Sequence, residues 1–245
     1  NTTPAWMSGP EPVAPVLTVP TAGVPPISSL TYVGSGSSLG GAGKKDIYKD
    51  DAGNQYLWKP ALSKAGAYEP FRAQVQAAYS TVARFVRPEH IAIGIDTVNG
   101  QVGTLQPMLA LGDPKDLSST PVTNLNDQEK VDLATDHILD WVMSQHDSHK
   151  ANILRTADGR LVSADKEQGY KYFPGDKLSI DYHPNSKFGE DEPIYNKFWR
   201  AFEEGKVEFD PTVLSEAVSK LDAIPTETFQ AAIGAYINSN PALTT

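Results

Sequence analysis

Asp147 is followed five residues later by Asn152 in the stretch His146-Asp147-Ser148-His149-Lys150-Ala151-Asn152-Ile153-Leu154. The stretch leaves an amphipathic segment and enters a short apolar one, which marks it as a loop. In a loop of this spacing the aspartate can orient or deprotonate an attacking hydroxyl, while the asparagine lends its amide oxygen to a metal ion. Beyond the Asp158-Gly159 turn, Arg160-Leu161-Val162-Ser163-Ala164 reads as a strand that delivers Asp165. A hairpin return there places a second carboxylate beside Asn152. A carboxylate and an amide oxygen suit a hard cation such as Mg²⁺, bound jointly with phosphates.

Two signals earlier in the chain match this chemistry. Lys59 ends the apolar run Tyr56-Leu57-Trp58. An ammonium at the end of a half-buried strand, facing a cleft, can hold phosphates as a point charge. The turn from Gly34 to Gly43 carries Gly34, Gly36, Gly40 and Gly41, then Lys44 and Lys45. Glycines let backbone amides approach phosphate oxygens, and the lysines add positive charge. It is not a P-loop, because no Gly-Lys-Ser/Thr leads into a helix.

The same residues admit other readings. The glycine turn can be a flexible hairpin, Lys59 a solvated strand end, and His149 a structural histidine bonded to a backbone carbonyl. His137, Asp140, His146, Asp147 and His149 can also bind a metal directly. His146-Asp147 is the dyad of HD-type phosphohydrolases, but that fold needs further helical ligands upstream, where only His90 occurs.

The elements that must position these groups follow from periodicity. Residues 1–28, with seven prolines among them, read as an extended leader or linker. Leu30–Val33, Asp46–Lys49 and Gln55–Lys59 form an antiparallel meander. Pro70 opens a helix over Phe71–Phe85 that buries Phe71, Val75, Ala78, Val82 and Phe85. Ile91–Ile95 and Gly103–Leu109 are strands joined at Asn99-Gly100. Asn126 caps a helix over 127–145 with Val131, Ala134, Ile138, Trp141 and Val142 inside. Closing helices cover 211–221 and 225–238. Trp58, Trp141 and Trp199 read as core, Gly189–Glu192 as a solvated loop, and Asp181–Asn185 as a loop able to meet an acceptor.

The 245 residues carry a formal charge of −9, with 40% apolar and 21% charged residues and no cysteine. That balance argues against a nucleic-acid partner, which needs a basic face. Disulfides, thiolate metal sites and a cysteine nucleophile are excluded. The compartment stays open between cytoplasmic and exported. No apolar run is long enough to span a bilayer. The first residue, Asn1, reads as a processed form or excised fragment.

Asp147-Ser148-His149-Lys150-Ala151-Asn152-Ile153-Leu154 resembles the Asp-Arg-His-x-x-Asn loop of phosphatidylinositol 3/4-kinase-like and HipA-like kinases. Gln55-Tyr56-Leu57-Trp58-Lys59-Pro60 resembles their nucleotide-lysine strand, and Asp165-Lys166-Glu167-Gln168-Gly169-Tyr170 stands where they carry a metal-binding aspartate. The resemblance spans roughly residues 30 to 240. It implies an α+β, two-lobed protein-kinase-like fold. Residues 29–108 would be an N-terminal nucleotide-binding lobe of antiparallel sheet and one helix, and 109–245 a mainly helical catalytic lobe. Leu105-Gln106-Pro107-Met108 would be the hinge, meeting adenine through the backbone at Gln106 and Met108.

ATP and Mg²⁺ (or Mn²⁺) are the implied cofactors, and Asn152 and Asp165 the metal ligands. Asp147, His149 and Lys59 are the implied catalytic residues. The implied reaction is phosphoryl transfer to a hydroxyl, of a protein sooner than a lipid or other small molecule, since no basic membrane-facing stretch is present. Adenylyl transfer on the same fold is the alternative, as is a degenerate binding module of a larger bacterial or phage-borne protein. The sequence departs from the resembled pattern at Ser148, at Lys166-Glu167, and at Gln74 and Gln76, where a glutamate partner for Lys59 is expected. Glu69 is the available substitute.

Overall fold

The computed structural model describes residues 23–39, 43–63, 65–170, 192–241 and 243. Gly40, Gly41, the Asp181–Asn185 loop and most of the Gly189–Glu192 run lie outside them. The chain is mixed α/β, with small antiparallel sheets and several helices.

One sheet has the order β1-β2-β3-β5-β4, all antiparallel. Its strands are β1 (Thr31–Ser35), β2 (Asp46–Lys49), β3 (Gln55–Pro60), β4 (Gly94–Val98) and β5 (Gln101–Pro107). The β4–β5 turn is tight because Asn99 and Gly100 both take positive φ, 51° and 77°, as a two-residue hairpin of the Asn-Gly kind demands. Along β3 the side chains alternate. Tyr56 and Trp58 enter a core with Ile27, Tyr48 and Leu105, leaving Leu57 and Lys59 on the opposite face. The end of the expected leader joins this core, since Ile27 is buried and its N–H donates to Asp96 Oδ2 at 2.6 Å.

Gly103 of β5 lies directly over β3. A Cβ there would stand 2.3 Å from the Lys59 carbonyl oxygen and 2.9 Å from the Trp58 ring. Only glycine permits this approach.

Helix α1 (Phe71–Val86) follows Pro70. It packs with α2 (Asp127–Val142), α4 (Ser215–Asp222) and α5 (Thr226–Ser239) through Ala78, Tyr79, Val82, Leu139, Met143, Ala217 and Ile233. Helix α3 (Ile194–Glu203), which the periodicity reading passed over, builds a separate core through Tyr195 and Phe198 against Leu133, Ile153 and Leu161. The second half is also less helical than expected. It contains an antiparallel sheet β6-β7-β8 of Leu111–Asp116, Ile153–Thr156 and Leu161–Ser163. Among the described residues no helix is long and apolar enough to cross a membrane.

Helix α2 begins at the expected Asn126, in a capping box with Glu129. Its inward face is not the expected one. Trp141 and Val142 are exposed, while Asp132, Asp136 and Asp140 are buried. Three aspartates at a spacing of four look like a solvated stripe. Here they meet strand β8 and its continuation: Asp132 accepts the N–H of Leu161 at 2.9 Å and Asp136 that of Ser163 at 2.7 Å, while Asp140 takes the ammonium of Lys166 at 2.8 Å. Four helical residues rise about 6 Å and two strand residues about 6.6 Å, so the ladders stay nearly in step.

Candidate functional site

Strand β3 sets Lys59 on the sheet face opposite the Trp58 core, and β5 sets Thr104 and Gln106 beside it, opposite Lys59 and Leu57. Cross-strand partners share a face. Strand β8 and the α2 aspartates set the segment that carries Asp165. The two meet: Lys59 Nζ lies 2.7 Å from Asp165 Oδ1, across 106 residues of sequence. Burial works against the charge of each group, but the partner's charge prevails. Lys59 is held above its ordinary value and Asp165 below. Asp165 has φ 58°, a conformation that turns the chain sharply after β8.

The 147–152 loop is tied to the same hairpin. Ile153 pairs with Ser163, and the N–H of Ala164 donates to the Asn152 carbonyl at 2.8 Å. Asn152 therefore sits next to the residue preceding Asp165. The Asn152 side-chain amide N–H donates to the Asp147 carbonyl at 2.9 Å, which leaves its amide oxygen outside that bond. The N–H of Ala151 donates to His149 Nδ1 at 3.2 Å. An accepting Nδ1 puts the neutral ring's proton on Nε2, and that atom lies 3.5 Å from Asp147 Oδ1.

Helix α1 contributes a cation where an anion was expected. Glu69 bonds Arg72 Nε instead of Lys59, and Arg72 Nη1 reaches Glu167 Oε1 at 3.3 Å. Glu167 is pushed above its ordinary value, by burial first and by Asp165 next. Arg72 did not stand out in the sequence, and Glu167 did so only within the Lys166-Glu167 departure.

In the glycine turn, Gly36 donates its N–H to the Lys45 carbonyl at 2.8 Å, and Gly34 pairs with Ile47 across a bulge. Lys44 is exposed and 3.8 Å from Asp46. Lys45 instead feels the Lys59–Asp165 pair. Its amine is lowered by burial and then by Lys59, with Asp165 opposing. Gln106 is half-buried. The Met108 N–H donates to the Gln55 carbonyl at 2.9 Å and so continues the sheet.

Among the described residues no three histidine or acidic groups converge on a common point. The proposed direct cluster is dispersed. His137 stacks on Tyr195 at 4.6 Å and accepts from Trp199 Nε1 at 2.8 Å. Asp140 is filled by Lys166, Tyr79, Tyr195 and Ser148.

No protein-family model matches the chain, and no curated protein matches it. Among solved structures it is similar to the Helicobacter pylori proinflammatory kinase CtkA. The two are 11% identical, the match covers 90% of this chain and 96% of that chain, and the TM-score is 0.46.

Proposed function

We propose that this chain is an ATP- and Mg²⁺-dependent phosphotransferase acting on a hydroxyl, of a protein sooner than a lipid. The observation that carries the reading is the 2.7 Å approach of Lys59 to Asp165, with Asn152 and Asp147 held beside the same hairpin. In this reading residues 29–108 form the nucleotide-binding lobe and 109–245 the catalytic lobe.

The donor chemistry fits the implied cofactors. Asp165 and Asn152 offer the hard oxygens Mg²⁺ prefers, and this ion takes one or two protein ligands with the rest from phosphate and water. When bound, Mg²⁺ supplies neutralisation of the charge that develops on the phosphates. Lys59 and Lys45 add positive charge at the phosphate end, with Gly34, Gly36 and Lys44 of the preceding segment lending backbone amides and charge there. Gln106 and Met108 border the adenine end. The committed Met108 N–H leaves carbonyls as the polar groups there. Asp147 orients the acceptor hydroxyl and takes its proton, and the His149 Nε2 proton faces the Asp147 carboxylate and fixes it.

Incubation with γ-labelled ATP, Mg²⁺ and a protein mixture tests this. The wild type transfers label, and Asp147→Asn and Asp165→Ala lose about 10²-fold or more, the first with its melting temperature little changed. Undiminished transfer in both variants would end the reading. Label from the α-position alone would make it nucleotidyl transfer.

One observation favours a second reading, a nucleotide-binding module without turnover. Helix α1 contains no acidic residue and turns Arg72 toward Glu167. Thermal stabilisation by ATP with Mg²⁺, without transfer to any acceptor, distinguishes that case.

A further inference from the structure

The 147–152 loop also borders a pocket that the Lys59–Asp165 pair does not line. The pocket has a volume of about 390 Å³ and draws its walls from the turns before α2, from the loop and from the start of α3. Lys150, Lys197, Ser118 and Ser119 line it, together with the apolar side chains of Val122 and Ile194. Ile194 is buried, and its N–H donates to the Ser148 carbonyl at 2.9 Å. The α3 wall is thereby fastened to the residue next to Asp147.

The chain holds 30 acidic against 21 basic residues, yet none of the residues lining this pocket is acidic. Lys150 is exposed and enters no ion pair among the described residues. Lys197 is 42% exposed along its side chain, and Glu192, 3.9 Å from it, is already bonded by Arg200. Two ammonium groups beside serine hydroxyls, with no lining carboxylate to neutralise them, are complementary to an oxyanion. Lys150 is three residues from Asp147, at most about 10 Å along the chain. An acceptor whose hydroxyl meets Asp147 has its neighbouring residues within reach of that lysine.

We propose that this pocket is an anion subsite for the acceptor, and that the acceptor is an acidic peptide. Its oxyanion, a carboxylate or a phosphate, lies within about three residues of the hydroxyl that is phosphorylated. The assignment of that hydroxyl rests on the phosphotransferase reading; the binding of an acidic peptide does not. In the transfer the hydroxyl oxygen bonds the γ-phosphorus, the bond to ADP breaks, and Asp147 takes the proton. Lys150 and Lys197 hold the neighbouring side chain, and Val122 and Ile194 receive its methylenes.

The probes are peptides with one serine in a neutral background, carrying glutamate, glutamine, lysine or phosphoserine at each neighbouring position in turn. Fluorescence anisotropy reads binding, and γ-labelled ATP with Mg²⁺ reads transfer. Near the serine, glutamate lowers both Kd and KM relative to glutamine by about three- to fivefold for each lysine engaged, the size of an exposed ion pair, with kcat unchanged. Lys197→Gln reduces that ratio, and adding Lys150→Gln brings it to one. Lys197→Glu moves the preference toward the lysine peptide, a change of direction that a merely structural loss does not produce. Phosphoserine against glutamate shows which oxyanion the pocket takes, and either one exceeding glutamine supports the subsite. A wild-type ratio near one at every position, or a ratio that Lys197→Glu leaves as it was, would overturn the proposal. The two readouts separate the ideas. Acidic preference in binding with no transfer from ATP defeats the phosphotransferase reading and keeps the subsite, whereas transfer indifferent to acidic neighbours keeps that reading and removes the subsite.

Discussion

Lys166 Nζ donates to both oxygens of Asp140, at 2.8 and 3.0 Å, with the two side chains 1% and 0% exposed. Lys166 follows Asp165 directly, and the same carboxylate accepts from Ser148, the neighbour of Asp147, at 2.5 Å. One buried anion on α2 therefore fixes both acidic edges of the candidate site. Lys166 thus has a structural task, and the ring of Tyr79 lies 5.0 Å from its ammonium.

Removing one partner of a buried pair strands the other charge, which typically costs about 3–5 kcal/mol. Lys166→Met should lower stability in urea by an amount near the bottom of that range, since three hydroxyls still serve Asp140. ATP-dependent labelling should fall with it, as Asp165 loses its anchor. A stability change below about 1 kcal/mol, typical of a surface pair, would refute the anchoring role.

Gly103→Ala tests whether the sheet sets Lys59. The added methyl meets the Lys59 carbonyl at 2.3 Å, and backbone cannot step aside as a flexible side chain can. The strain should cost at least about 2 kcal/mol and shift β3 away from β5. Chemical denaturation reads the cost, and nucleotide-induced stabilisation reads the displacement of Lys59. A variant as stable as wild type would mean that β5 does not press on β3 there.

Much of this positioning was legible in the sequence. The apolar run Tyr56-Leu57-Trp58 located β3, the Asn99-Gly100 pair located a hairpin, and the Asn126 cap located the start of α2. The Asp158-Gly159 turn located the hairpin that returns the chain to Asp165, whose carboxylate lies 2.7 Å from Lys59. The inward face of α2 was not legible. Apolar periodicity chose Trp141 and Val142, whereas backbone N–H groups of β8 recruited Asp132 and Asp136, and nothing local encodes a bond made 27 residues away. Helix α3 was legible but passed over: Ile194, Tyr195, Phe198 and Ala201 recur at helical spacing on one face, with Lys197 and Arg200 on the other. The role of Arg72 depends on a carboxylate 95 positions later, which no window of sequence contains.

Acid should destabilise the fold before its carboxylates titrate. Burial, then Arg87 and Lys166, push His90 down to about 3, and burial pushes His137 down to about 4. The unfolded chain protonates each near 6.5, so between 6.5 and these lower values it binds more protons than the fold. Stability therefore falls as pH drops through that window, by on the order of 1.4 kcal/mol per unit for each group. Neither nitrogen of His90 is hydrogen-bonded among the described residues. His90→Phe should accordingly be tolerated near neutrality and should flatten the loss between pH 6.5 and 4. Parallel urea curves for wild type and variant over that range would exclude His90 as a source.

The Lys59–Asp165 pair makes its own prediction at both ends of the pH scale. Asp165 is depressed below its unfolded value, so its share of the stability is present above about pH 3.9 and disappears as pH falls through the folded value. Lys59 is raised, so its share is complete below about pH 10.4 and disappears as pH climbs through its folded value. The stability difference between wild type and Lys59→Met should be level across the neutral range and shrink beyond each edge. Asp165 is 42% exposed along its side chain, so added salt should reduce the difference throughout. A difference that stays constant from strong acid to strong base would show that Lys59 stabilises by packing its methylenes against β5, with its charge uninvolved.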